Sequence, residues 1–67
     1  MELNDAQDLI DILQGEGYEA ELYENYSGRG MYGNTTIGVT TDARPHTIED
    51  MNIGCRSDNM GLDYIYY

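Results

Sequence analysis

The fold is decided by residues 4–24, NDAQDLIDILQGEGYEAELYE, in which a helical pattern is followed within a few residues by a strand pattern. The first half places apolar side chains at helical spacing, with one more beside the stripe: Ala6, Leu9, Ile10, Leu13 and then Ile12. Asn4 is a suitable N-cap, Gln7 stands at capping-box spacing, and Gly15 supplies a stop. The pattern predicts an amphipathic helix over 4–14 whose apolar stripe packs on another element.

Residues 18–24, YEAELYE, alternate as a half-buried strand does. One face would hold Tyr18, Ala20 and Leu22, and the other Glu19, Glu21 and Tyr23. Residues 25–30 have turn composition, and residues 31–40 are again extended and rich in Thr, Ile and Val, which predicts a hairpin. Gly33 and Gly38 would mark bulges or close backbone contacts inside the second strand.

The C-terminal part predicts two shorter strands after a break at 41–45. Thr47 and Asp50 lie at capping-box spacing, which indicates one helical turn over 47–51. Strands over 53–57 and 62–67 would flank a turn at 58–61. In the last strand Leu62, Tyr64 and Tyr66 alternate with Asp63, Ile65 and Tyr67. The sum is one α+β domain spanning residues 1–67, with one N-terminal helix packed on a three- or four-stranded antiparallel sheet.

Charge is the strongest compositional signal: 13 Asp and Glu stand against 3 basic residues, for a formal net charge of -10. Such a field repels phosphate backbones and anionic membranes and attracts basic surfaces. We therefore expect neither direct nucleic-acid binding nor membrane binding, and we expect a basic nucleic-acid-binding protein as partner. Acidity that serves solubility alone is an equally open alternative.

The single cysteine, Cys55, allows no internal disulfide, and the chain shows neither a signal-peptide pattern nor an apolar run of membrane-spanning length. A cytoplasmic location is the resulting expectation.

The sequence predicts no catalytic, cofactor or metal site, and therefore no enzyme. Residues 28–33, GRGMYG, match G-x-G-x-x-G, but strand-forming residues follow where a dinucleotide site needs a helix, so a hairpin turn is favoured. His46 and Cys55 are the only residues of their types, and a loop histidine with an inert, buried thiol is favoured over a catalytic pair. Asp58 and Asp63 lie near a glycine without the spacing of a calcium loop.

Two sets of residues are candidates for binding a partner. Carboxylates spaced three or four apart on a helix, or two apart on a strand, form rows comparable with a phosphate track, and these are Asp5, Asp8 and Asp11, and Glu19, Glu21 and Glu24. Tyr and Arg are favoured interface anchors, which adds Tyr26, Arg29 and Tyr32 around the glycine turn. Tyr18, Tyr64 and Tyr66 would instead supply the aromatic part of the core. An ordinary solvated face remains the alternative for the carboxylates.

Residues 26–33, YSGRGMYG, and 58–66, DNMGLDYIY, resemble segments of small uncharacterised proteins of bacteriophages and prophages. In size and acidity the chain is also similar to anti-CRISPR proteins, several of which imitate DNA. The resemblance implies a phage-derived inhibitor, acting in the host bacterial cytoplasm, that binds a basic nucleic-acid-binding surface of a host defence protein, such as a CRISPR effector complex. The alternative is a phage structural, assembly or accessory interaction protein whose acidity serves only solubility.

Overall fold

The structure, a computed structural model, describes residues 1–28, 31–50 and 54–67. Its elements in chain order are α1 (Leu3–Gly15), β1 (Ala20–Tyr26), β2 (Thr36–Thr41), α2 (Pro45–Asp50), β3 (Ser57–Met60) and β4 (Asp63–Tyr66). The four strands form one antiparallel sheet in the order β1-β2-β4-β3. The predicted α+β arrangement, an N-terminal helix on an antiparallel sheet, is confirmed, and the sheet has four strands.

Helix α1 buries the predicted stripe, because Ala6, Leu9 and Leu13 are fully enclosed. Ile12 was expected to widen the stripe, but its side chain is 44% exposed. The predicted start is also wrong: the helix begins at Leu3, so Asn4 lies inside it and caps nothing. The backbone carbonyl of Glu2 accepts the first helical hydrogen bond, from Ala6.

The C-terminal end of α1 is closed by Gly17, two residues after the predicted stop. Gly17 has a φ of +91°, a conformation that glycine adopts without steric cost. Its N–H donates to the carbonyl of Gln14, and the N–H of Tyr18 donates to the carbonyl of Leu13. These two bonds form a Schellman motif, and Tyr18 packs on the core beside Leu13 as that motif favours.

Strands β1 and β2 form the predicted hairpin, but both are shifted along the chain. Strand β1 begins at Ala20 and continues to Tyr26, where a turn was expected, and β2 begins only at Thr36, so Gly33 lies in the connecting loop. The register is regular from Ala20 to Tyr23 and then irregular, because Tyr23 faces Gly38 whereas Tyr26 faces Thr36. Three steps along β1 therefore match two along β2, which is a β-bulge.

Gly38 confirms the expected close contact within β2. A Cβ at this position would lie 3.0 Å from the carbonyl oxygen of Tyr66 and 3.1 Å from the Ile65 side chain. The neighbouring strand β4 thus fills the space that a larger residue would need.

The C-terminal part differs from the prediction in its boundaries. Helix α2 begins at Pro45, a favourable first helical position, and not at Thr47. The turn between β3 and β4 is limited to Gly61 and Leu62, since Met60 pairs with Asp63. Gly61 has a φ of +85° at the first turn position, which a type II′ hairpin turn requires. Met51 and Ile53, predicted in a helical turn and a strand, lie outside the described residues.

The main core lies between the helices and one face of the sheet. Its buried members are Ala6, Leu9, Leu13, Ala20, Val39, Ala43, Ile48 and Tyr66. Tyr18 and Tyr64 pack against this cluster, so the predicted core tyrosines are found there. Burial raises the pKa of Tyr66 to about 12, and its hydroxyl donates a 2.8 Å hydrogen bond to the carbonyl of Ala43.

The sheet face that points away from α1 is called the open face below. It holds two buried residues that lie outside the main core, Tyr26 and Ile65, and we call them the open-face cluster. Ile65 alternates with Tyr66 and so lies on this face with Asp63, as the predicted alternation requires, and it is fully buried. Strand β4 is therefore covered on both sides. In the described part of the chain, no helix has the length and apolar character needed to cross a membrane.

Candidate functional site

Four acidic residues line the end of the sheet where β1 begins, β2 ends and β4 begins. Ala20 pairs with Thr41, and Thr41 pairs with Tyr64, so the three acidic residues one step beyond these pairs lie side by side, and Glu21 follows within β1. The four residues line one shallow cavity of about 460 Å³, and we call them the acidic end: Glu19, Glu21, Asp42 and Asp63. None of the described residues lining this cavity is Arg, and the chain contains no Lys.

Local hydrogen bonds hold the acidic end in place. The Oδ1 of Asp42 accepts a 3.2 Å hydrogen bond from the backbone N–H of Glu19. The hydroxyl of Thr41, the one buried polar residue among those that the structure describes, donates to the backbone carbonyl of Glu19 and accepts from the N–H of Ala43. The backbone of residue 19 is thus tied to the end of β2, which fixes Glu19 beside Asp42 at this edge of the cavity.

Sequence reasoning found Glu19 and Glu21 and missed Asp42 and Asp63 as members of this group. Both missed residues adjoin strand ends, and a correct strand order would have placed them beside Glu19. That order depends on β2 pairing with β4 across α2 and β3, which no local pattern encodes.

The helix carboxylates do not join the acidic end. Asp5, Asp8 and Asp11 are all exposed. At 100° per residue, Asp8 and Asp11 lie on the side of α1 opposite its buried stripe. Glu21 lies on the open face, because it alternates with the buried Ala20. Asp8 and Asp11 therefore lie on the surface of the molecule opposite to the one that carries Glu21.

The strand row is itself interrupted at Glu24. Glu24 is exposed, but it lies within the bulge between Tyr23 and Tyr26, where the regular alternation of faces is lost. Glu19 and Glu21 are two residues apart, whereas Glu24 follows three residues after Glu21.

Tyr26 corrects the prediction of an exposed tyrosine patch, since only 5% of its surface is accessible. The bulge turns its side chain to the same face as Tyr23, and the two rings meet edge to face with centroids 6.1 Å apart. The ring also packs on Tyr67, with centroids 4.7 Å apart. Tyr26 therefore contributes to the open-face cluster and offers little surface to a partner.

The hydroxyl of Tyr26 reaches β3 and donates a hydrogen bond to Oδ2 of Asp58. This bond to a carboxylate, together with burial, raises the pKa of Tyr26 above its ordinary value. Gly28 lies directly against the same ring, because a Cβ there would approach two of the ring carbons to 2.7 Å. Tyr26 thus connects β1, the following loop and the far edge of the sheet.

Tyr32 differs from Tyr26, because it is 95% exposed. It adopts a φ of +50°, which is unusual for a residue with a side chain, and it lies in the turn between β1 and β2. Arg29, predicted beside it, lies outside the described residues. The predicted patch consists of Tyr26, Arg29 and Tyr32. Among its described residues, Tyr32 is exposed to solvent and Tyr26 is buried.

The remaining chemistry-bearing residues show no arranged site in the described ranges. There, no group of three or more His, Cys, Asp or Glu side chains is placed to hold a metal ion. Cys55 is half-buried beside a cavity of about 230 Å³ that includes Pro45 and Tyr66, and burial raises the pKa of its thiol. The GRGMYG segment leads into strand β2 of an antiparallel sheet, which is not the setting of a dinucleotide-binding turn.

Comparisons with family models, with curated proteins and with solved structures find no match for this chain. Its function is therefore inferred from the arrangement of its own residues. That arrangement provides a negatively charged surface. The acidic end is concave, has no described basic residue in its lining, and lies beside the exposed strand β1.

Proposed function

We propose that this protein binds a basic, nucleic-acid-binding surface of a host protein and excludes nucleic acid from it. The observation that supports this proposal is the acidic end, where carboxylates from three strand ends line one cavity without a described basic residue. Lys and Arg side chains that normally hold phosphates would pair with these carboxylates. The net charge of -10 would speed the encounter at low salt.

We extend the proposal to the kind of partner on the resemblance of residues 26–33 and 58–66 to segments of phage proteins. A host defence complex that binds DNA, such as a CRISPR effector, presents a positively charged channel for its nucleic acid. The protein would act there in the cytoplasm of the host cell as a competitor of DNA and without catalysing a reaction. Its contribution would be charge and shape alone.

Two triple variants with equal loss of charge test the location of the binding surface. The first is Glu19→Gln with Glu21→Gln and Asp63→Asn, at the acidic end. The second removes the three helix carboxylates, as Asp5→Asn with Asp8→Asn and Asp11→Asn.

Each variant would be used to capture partners from a bacterial lysate and then to displace fluorescent duplex DNA from a purified CRISPR effector complex. We expect the acidic-end variant to lose capture and displacement and the helix variant to keep most of both. Equal losses in the two variants would mean that only total charge matters, and displacement that is insensitive to added salt would exclude the electrostatic mechanism.

A structural or assembly role in a phage is the second candidate, and the exposed strand β1 at the edge of the sheet favours it. In that role copies of the chain would join through their sheets, and the acidity would serve solubility. Light scattering at several protein concentrations separates the two, because a stable homo-oligomer supports assembly and a monomer supports the inhibitor.

A further inference from the structure

Strand β1 is an edge strand whose outer side is accessible over most of its length. It pairs with β2 on one side and with no other strand among the described residues. Five consecutive residues, 21–25, are exposed, and a shallow depression of about 450 Å³ lies against residues 22–25. An edge strand of this kind presents backbone N–H and C=O groups that an added strand can bond.

The two faces of β1 are complementary to different side chains of such an added strand. On the open face, Glu21 and Tyr23 lie two residues apart, and a Lys or Arg there would meet a carboxylate and an aromatic ring. On the helix side, Leu22 is 36% exposed at the margin of the core, and an apolar side chain would cover it. The complementary strand therefore alternates basic and apolar residues.

Charge decides between such a segment and a second copy of this chain. Two β1 strands paired edge to edge would bring two sets of glutamates, each including Glu19, Glu21 and Glu24, against each other. Like charges across a strand pair destabilise it. A basic segment is attracted by the same residues and by the adjacent acidic end.

We infer that β1 binds an extended segment of a partner protein, in which Lys or Arg alternates with apolar residues, by adding it as a fifth strand to the sheet. This inference rests on the proposed function and specifies how the basic partner is engaged. The bulge after Tyr23 limits the new ladder to the regular part of the edge, Ala20 to Tyr23.

The test uses the intact, isotope-labelled protein and two synthetic peptides of about ten residues that alternate Lys and Val. The second peptide is N-methylated at alternate residues, so that it keeps its charge but cannot donate the hydrogen bonds of a strand. Nuclear magnetic resonance follows the amide shifts of the protein at low salt, and amide hydrogen exchange measures protection.

We expect the unmodified peptide to shift and protect amides within residues 20–23, without comparable protection at 24–26. Methylation should weaken binding by about tenfold or more, because at least two backbone hydrogen bonds are lost. Glu21→Gln should weaken binding of the unmodified peptide more than Asp8→Asn, which removes the same charge from the helix surface.

Equal affinity for the two peptides, or shifts centred on the helix carboxylates, would overturn the edge-strand inference and leave the electrostatic function standing. If neither peptide binds at low salt, both the edge-strand inference and the electrostatic function are overturned.

Discussion

Replacing Tyr26 with Phe removes one hydroxyl and leaves the buried ring in place, so it isolates the hydrogen bond to Asp58. A hydrogen bond to a charged group contributes roughly 1.5–3 kcal/mol when its partners are desolvated. Asp58 is exposed, and water can replace the lost donor. We therefore expect the free energy of unfolding to fall by about 1–1.5 kcal/mol, which is at or below the lower end of that range.

This loss is large for a chain of 67 residues, whose free energy of unfolding is expected to be roughly 3–10 kcal/mol. Urea unfolding followed by circular dichroism would measure it. With a slope near 1 kcal/mol per molar urea, the midpoint should fall by about 1 M while the slope stays unchanged. The melting temperature should fall by about 4–12 °C.

Tyr23→Phe is the matched control, because Tyr23 lies on the same strand but is 40% exposed. Its loss should stay within about 0.5 kcal/mol. A double-mutant cycle with Asp58→Ala completes the test, since the effect of Tyr26→Phe should largely disappear once the acceptor is gone. Equal losses in Tyr26→Phe and Tyr23→Phe, or an unchanged effect in the Asp58→Ala background, would refute the reasoning.

Three further predictions concern the helix and the core. Gly15→Ala should stabilise the protein by about 0.4–1 kcal/mol, because Gly15 is helical with open space around its Cα, whereas Gly17→Ala should destabilise it by about 1 kcal/mol because of the positive φ; urea midpoints that move in the same direction would contradict this pair. Leu9→Ala should cost about 2–5 kcal/mol in unfolding free energy, since the side chain is fully buried, and Ile12→Ala, two-fifths exposed, should cost clearly less; similar urea midpoints for the two variants would count against the helix orientation. Burial raises the pKa of Tyr66 to about 12, so the buried, protonated hydroxyl should contribute its full stabilisation below the ordinary pKa of tyrosine, near 10. That stabilisation should be lost as the pH rises through about 12. A titration of tyrosinate absorbance in which every tyrosine of the folded protein ionises together near pH 10 would disprove this prediction.

The features that the sequence predicts correctly are those that depend on residues close together in the chain. The stripe of α1 could be predicted because residues at helical spacing share a face wherever the helix packs, and Leu9 and Leu13 are buried as expected. The first hairpin could be predicted for a similar reason, since alternation and turn composition act between neighbours in the chain. The boundaries of elements depend on more than residue type: Asn4 has the residue type of a cap, yet the helix begins one residue before it.

The binding candidates show where local reasoning ends. Simple alternation places Tyr23 and Tyr26 on opposite faces, and only the bulge in β1 brings both rings to the open face. An exposed anchor thereby becomes part of a small apolar cluster that also buries Ile65. A bulge depends on how two strands fit each other, and a pattern read along one strand does not contain that information.

By itself, the sequence determined that this chain is acidic, that its first helix has one apolar side, and that antiparallel hairpins follow, because composition and short-range periodicity are properties of the chain alone. Only the tertiary structure decided that the carboxylates divide between two surfaces and that Asp42 and Asp63 join Glu19 and Glu21. The physical reason is the pairing of β2 with β4, two strands separated in sequence by a helix and another strand. Their side-by-side position results from the core that they bury together.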